Sequence, residues 1–222
     1  MSVPASPSAL PRASVAVDDL ATLLGAGSGE PPRWWLSGGV ALDRWLGRHI
    51  RPRDGVDVST TSAQLPALIE ALPATHDAWV VTGDAVRGWD DARAGDLDLD
   101  VQHVLIRDVA RGGWAVQVHA EDGTDRAWLY RRDARLQLPW EQAVREIDGI
   151  PTGAPEVQLL WKALRPRPED DVDKDAVLPE LTEEARAWWE RALMSIHPHS
   201  TWAIHVRSPL TPAKASWNRP GR

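Results

Sequence analysis

Residues 33–59 pass through three hydrophobic patterns in turn. Residues 33–37 form a short apolar run, which predicts a strand. Ala41, Leu42, Trp45 and Leu46 then recur at helical spacing, with Gly47 as the stop. Val56 and Val58 alternate with Asp57 and Ser59, the period of a half-buried strand. Upstream, Val17, Leu20 and Leu24 predict a helix over 15–24. Downstream, Leu65, Leu68, Ile69 and Leu72 place a helix over 63–72. Strands are predicted at 79–81 and at 96–106, where alternation is strong. Residues 114–119 and 127–130 read as a hairpin turning at Asp122-Gly123.

From Pro139 the pattern is helical, with helices expected at 141–145, 155–164, 170–177 and 182–196. Thr182 is placed to cap the last of these, with Glu183 and Glu184 in its first turn. The fold class is α+β: a small mixed β-sheet core flanked by helices, then a helical C-terminal part. The expected divisions are a disordered 1–14, a core over 15–138, a helical subdomain over 139–206 and a flexible tail over 207–222.

Composition narrows the function. The 222 residues are 43% hydrophobic and 26% charged, as in an ordinary globular protein. A net charge of -7 provides no global basic field, so nucleic acid is not an expected partner, and a nucleic-acid-modifying enzyme is disfavoured. The absence of cysteine excludes disulfides, thiol catalysis and cysteine zinc sites. No apolar run reaches the roughly 18 residues of a membrane span, and the N-terminus lacks the apolar centre of a signal peptide. No membrane partner and a cytoplasmic location are therefore expected. Thirteen Trp stand beside one Tyr and no Phe. Either Trp fills the core aromatic positions, the reading favoured, or some Trp line a pocket for a flat or sugar-like ligand.

The candidate chemistry lies at Ser37-Gly38-Gly39 and Asp57. Glycines between a strand and a helix let a ligand approach the backbone, and the helix N-terminus suits phosphate. Carboxylates at i and i+2 on a strand share a face and can hold Mg²⁺ together. Position 57 is Asp, but position 55 is Gly. Asp54, three residues away, reaches the same face only through a bulge. Other acids are candidates with blander readings. Asp96, Asp98 and Asp100 form a row read as the wet face of an edge strand. Glu121 and Asp122 are read as solvated turn residues. His197, His199 and His205 are read as surface groups rather than metal ligands. Arg131-Arg132 either contacts phosphate or decorates a hairpin.

These residues resemble the aminoglycoside adenylyltransferase type of nucleotidyltransferase, within the polymerase-beta-like superfamily. The resemblance spans residues 34–202. It rests on Gly38-Gly39-Val40-Ala41-Leu42-Asp43, Arg51-Pro52-Arg53 and Gly55-Val56-Asp57. It continues through 114–121, 128–133, the segment 154–163 (APEVQLLWKA), Arg165-Pro166, Asp170 with Asp173, and 188–202 with its His197-Pro198-His199. The resemblance implies ATP or another nucleoside triphosphate, Mg²⁺, and transfer of a nucleotide to a hydroxyl of a small polar acceptor, an aminoglycoside being the first expectation. In that scheme Ser37, Gly38 and Gly39 cradle phosphates. Lys162 neutralises triphosphate charge, and Asp57 holds metal and carries catalysis, with Asp54 as a second metal candidate.

The departures from the family pattern are Arg53 in place of its His, Gly55 and Gln117 in place of acids, and Glu169 in place of Lys. They leave two expectations open. One is a working nucleotidyltransferase. The other is a catalytically inactive relative that binds a nucleotide, a small ligand or a protein partner.

Overall fold

The protein is described here from a computed structural model, covering residues 6–12, 15–25, 32–83, 85–92 and 103–207. The expected acidic row at Asp96, Asp98 and Asp100 lies outside the described residues, as do most of the tail and parts of the first 14 residues.

The strands are β1 (Trp34–Ser37), β2 (Val56–Thr61), β3 (His76–Thr82), β4 (Ala85–Gly88), β5 (His103–Asp108), β6 (Gly113–Gly123), β7 (Ala127–Leu129), β8 (Gln137–Pro139), β9 (Val144–Ile147) and β10 (Ile150–Gly153). The α-helices are α1 (Leu20–Leu24), α2 (Gly38–Leu46), α3 (Leu65–Glu70), α4 (Trp89–Ala92), α5 (Trp140–Ala143), α6 (Pro155–Lys162), α7 (Pro168–Val177), α8 (Glu183–Ile196) and α9 (Thr201–Arg207). The sheet runs β4-β3-β5-β6-β2-β1-β10-β9, with β7 on β6 and β8 on β7. It is mixed: β2 runs parallel to β6 and β1 parallel to β10, while β2 and β1 are antiparallel.

Strand period sorts side chains between two faces. Trp34, Leu36, Val56, Val58, Val116 and Val118 join a core with Leu20 and Leu24 of α1 and Leu65 and Leu68 of α3. Trp35 points the other way, into a core with Trp128, Tyr130, Val157, Leu160, Leu193 and Trp202. Trp35, Trp114, Trp128, Trp189 and Trp202 are fully buried, so Trp does fill core aromatic positions here. By the same alternation, Asp57, Ser59, Gln117, His119 and Glu121 occupy the polar interval of β2 and β6.

Three expectations need correction. Residues 144–153, expected to be helical or connecting, form β9 and β10, and β10 pairs with β1 at Leu36↔Thr152. The sheet thus draws two strands from beyond residue 138. Asp122-Gly123 is not the turn: β6 runs through Gly123, and Thr124 closes the hairpin by accepting from Ala127 N–H through its side chain and donating its own N–H to Ala127 O. A further helix, α9, follows the expected last one. Thr182 does cap α8, accepting from Ala185 N–H at 3.2 Å. Among the described residues no helix is long and apolar enough to cross a membrane.

Candidate functional site

A cavity of about 770 Å³ opens between the polar edge of β1, β2 and β6 and the helices α6 and α7. Register places its floor. Asp57 lies opposite Ser37 on β1 and opposite Gln117 on β6, and Ser59 lies opposite His119. α2 begins at Gly38 directly after β1, with φ +64 at Gly38. A Cβ there would lie 2.5 Å from Asp57 Oδ2, so only glycine permits both the turn and the approach of Asp57.

Ser37 and Gly38 line the cavity as expected. Their donors are used differently from the phosphate cradle of the sequence reading. Gln158 of α6 accepts the Gly38 N–H at 2.8 Å, so one free donor of the helix terminus is already satisfied. Ser37 Oγ and Gln158 Nε2 are buried at the cavity without a hydrogen-bond partner among the described residues. Gly39 does not line the cavity. A Cβ on it would collide with the Arg53 guanidinium, and that packing explains the glycine.

Lys162 lines the cavity, but its ammonium is spoken for by Asp170 at 2.6 Å and Asp173 at 3.1 Å. Asp173, with a side chain 0% exposed, also takes Arg51 through two bonds at 3.0 and 2.9 Å and Arg53 at 2.8 Å. Arg53 continues to Asp43, which also accepts from Ile50 N–H. Arg167 adds to Asp170 at 3.1 Å. The Arg51-Pro52-Arg53 and Asp170/Asp173 motifs therefore clamp α2, the following loop, α6 and α7 together. Burial raises the Asp170 carboxyl, but Arg167 and Lys162 outweigh it and hold it down at about 2.

Among the described residues the acids at the cavity are dispersed rather than clustered. Asp57 is the one β2 carboxylate on the floor. Burial pushes its pKa upward, yet His119, Arg12 and Lys162 prevail and hold it below the usual range. Asp54 is solvent-exposed in the bend before β2, where strand alternation does not act, and lies outside the cavity lining. Position 55 offers no ligand. A Cβ there would lie 2.8 Å from Arg12 Cδ and 3.0 Å from its Nη1. Gln117 Oε1 accepts from Arg12 Nη2 at 2.9 Å, and its amide nitrogen stands 3.1 Å from His119 Nε2. Among the described residues no three His, Asp or Glu converge on a point that could hold a metal. Mg²⁺ is held by one or two carboxylates together with waters and substrate phosphates; here Glu121 is taken by two indole N–H groups and the Arg12 guanidinium lies near Asp57, so the floor is a poor fit for Mg²⁺.

Several site residues escaped the sequence reading. Glu121, expected to be solvated, is 2% exposed on the cavity floor and accepts from the indole N–H of Trp128 and of Trp161, the latter at 3.2 Å. Burial raises its pKa above the usual value despite these donors. Arg12, Arg165 and Arg167 join Arg131, Arg132 and Lys162 around the cavity. Arg131 also donates to Ala120 O at 3.0 Å. His197, expected at the surface, is buried with its Nε2 2.7 Å from the Tyr130 hydroxyl. His199 is exposed.

Fold and site together define an α+β protein with a cationic cavity on the polar edge of a mixed sheet. No protein-family model matches the chain, and no curated protein matches it. Among solved structures, a crystal structure of ANT(2")-Ia in complex with adenylyl-2"-tobramycin is 18% identical, covers 79% of this chain and 97% of its own, and gives a TM-score of 0.43. A solution structure of antibiotic-resistance factor ANT(2'')-Ia is also 18% identical, with 86% of each chain covered and a TM-score of 0.38.

Proposed function

We propose that the chain is a nucleotidyltransferase-like protein whose cavity binds the polyphosphate of a nucleoside triphosphate without a divalent metal. This is the binding relative of the two readings left open by the sequence, not the Mg²⁺-dependent transferase. The observation that carries it is the cavity's charge. Arg12, Arg131, Arg132 and Arg165 line it, beside Lys162 and Arg167 that are already paired with Asp170, against Asp57 and Glu121, in a chain of net charge -7. Clustered guanidinium groups are suited to phosphate oxygens by their planar fork of donors. The unpartnered Ser37 hydroxyl and Gln158 amide add neutral donors at the β1–α2 end. A cavity of about 770 Å³ is of small-molecule size. An aminoglycoside, itself a polycation, has few acids to meet on these walls.

The test is calorimetric titration of the full chain with ATP, pyrophosphate and adenosine, in EDTA and in Mg²⁺. ATP and pyrophosphate bind in EDTA and adenosine does not. Asp57→Asn removes a like charge facing the phosphates and tightens binding, on the order of ten-fold. Absence of ATP binding in EDTA sinks the proposal. So does Mg²⁺-dependent nucleotide transfer to an aminoglycoside that Asp57→Asn abolishes, which would restore the transferase reading.

A further inference from the structure

The short segment ahead of the sheet core is placed by specific contacts. Pro7 O accepts the Trp114 indole N–H at 2.7 Å, and Pro11 O accepts the Trp114 backbone N–H at 2.9 Å. Arg12 makes a parallel bridge with Trp114, and Leu10 packs against the cluster of Trp79, Val81, Val86, Leu105 and Trp114. These contacts run the segment beside the start of β6 and deliver Arg12 to the cavity floor. There the Arg12 side chain crosses the face of Gly55, donates to Gln117 and favours the charged form of Asp57.

Gly55, just ahead of β2, and the floor positions 57 on β2 and 117 on β6 thus lie around one guanidinium. Position 55 has no side chain, which leaves room for the Arg12 stem. Position 117 is an amide whose oxygen accepts one of the guanidinium donors. Position 57 supplies a carboxylate that offsets part of the guanidinium charge. A divalent ion on Asp57 would meet the charge of this guanidinium nearby, and the two cations would repel.

We infer that Arg12 is a polyphosphate-binding residue, a tethered cation carried in by the N-terminal segment to the place on the cavity floor where a divalent metal would otherwise sit. The inference rests on the polyphosphate reading above and adds its source of metal independence. Gln117 takes one Nη and leaves the guanidinium other donors for a phosphate oxygen. Leu10 and Trp114 hold the backbone, so Arg12 needs little ordering when the anion arrives.

The experiment titrates inorganic pyrophosphate and ATP into the full chain in EDTA, for wild type, Arg12→Ala, Arg12→Lys, Gly55→Ala and the Arg12→Ala/Gly55→Ala double variant. Loss of a charged hydrogen bond weakens Arg12→Ala by about ten- to hundred-fold. Arg12→Lys keeps the charge and loses less. Gly55→Ala pushes on the Arg12 side chain and weakens binding while the guanidinium remains, and it has no further effect once Arg12 is Ala. Tryptophan emission and thermal melting confirm folding, and Arg12→Lys and Gly55→Ala carry the test if Arg12→Ala does not fold. Wild-type binding with Arg12→Ala unchanged overturns this inference and leaves the proposed function standing. Additive effects of the two substitutions also overturn it, because Arg12 then does not act at the Gly55 face. A wild type that binds neither ligand overturns the proposed function and this inference with it.

Discussion

Asp173→Asn tests whether the shared motifs hold the fold together. The Asp173 carboxylate is fully buried. Its two oxygens meet Arg51 twice, Arg53 once and Lys162 once, all between 2.8 and 3.1 Å. The network holds three acids, Asp43, Asp170 and Asp173, against Arg51, Arg53, Lys162 and Arg167. Asparagine removes one charge and turns an amide donor toward a cation. Removing one partner of a buried ion pair typically costs about 3–5 kcal/mol, because the charges left behind stay desolvated. For a chain of this size that lowers Tm by about 6–20 °C. The assay is urea unfolding at pH 7, followed by circular dichroism and tryptophan emission. The pH dependence has a defined sign. Burial raises the Asp173 pKa, but Arg51, Lys162 and Arg53 outweigh it and leave it below the usual value. Its stabilisation is therefore full above the unfolded pKa of about 3.9 and is lost as pH falls through the folded value. The gap between wild type and variant should be widest near neutrality and close below about pH 4. A gap under about 1 kcal/mol at pH 7, the range of exposed pairs, or one that widens on acidification, refutes the reasoning.

Glu121→Gln is expected to stabilise the protein more at pH 8 than at pH 5. The folded pKa of Glu121 is raised, so ionisation costs stability as pH rises above the unfolded value of about 4.3, and glutamine still accepts an indole N–H. Melting temperatures across that range check this, and an effect independent of pH contradicts it. Gly39→Ala should cost about 1–3 kcal/mol by overpacking against Arg53, while the folded fraction keeps its affinity for ATP. A large loss of affinity at unchanged stability would return Gly39 to the phosphate cradle.

The strand–helix–strand unit at 34–61 was legible because its period changes cleanly from apolar run to helical spacing to alternation. β9 and β10 were not. Val144–Ile147 shows no alternation of buried and exposed positions, and β10 is mostly buried, so its pairing with β1 depends on contacts far apart in sequence. In the site, the place of Asp57 on the polar side of β2 was legible from strand alternation, whereas Asp54 sits in the bend before the strand, where alternation does not act. Arg12 carried no signal. It sits in a Pro/Ser-rich segment without periodicity, and only the Trp114 contacts place it. Glu121 was misread because Asp122-Gly123 has turn composition, whereas β6 continues through both residues. The charge of Lys162 was visible, but not its capture by two acids on the next helix.

The two sets of charges at this site serve different ends, and their partners show which. Arg51, Arg53, Lys162, Asp43, Asp170 and Asp173 find one another, so their electrostatic energy is spent inside the scaffold. Those same residues carry much of the sequence resemblance, so the resemblance speaks first to how α2, α6 and α7 are held. Arg12, Arg131, Arg132 and Arg165 are cationic residues of the cavity lining that lie outside this network. On the floor, Asp57 has Arg12 and His119 near it and no second cavity-facing acid from its own strand. On the proposed reading, a floor of that composition favours an anion over Mg²⁺. On that reading, binding chemistry and metal chemistry separate at two positions, Gly55 and Gln117, and both are in contact with Arg12.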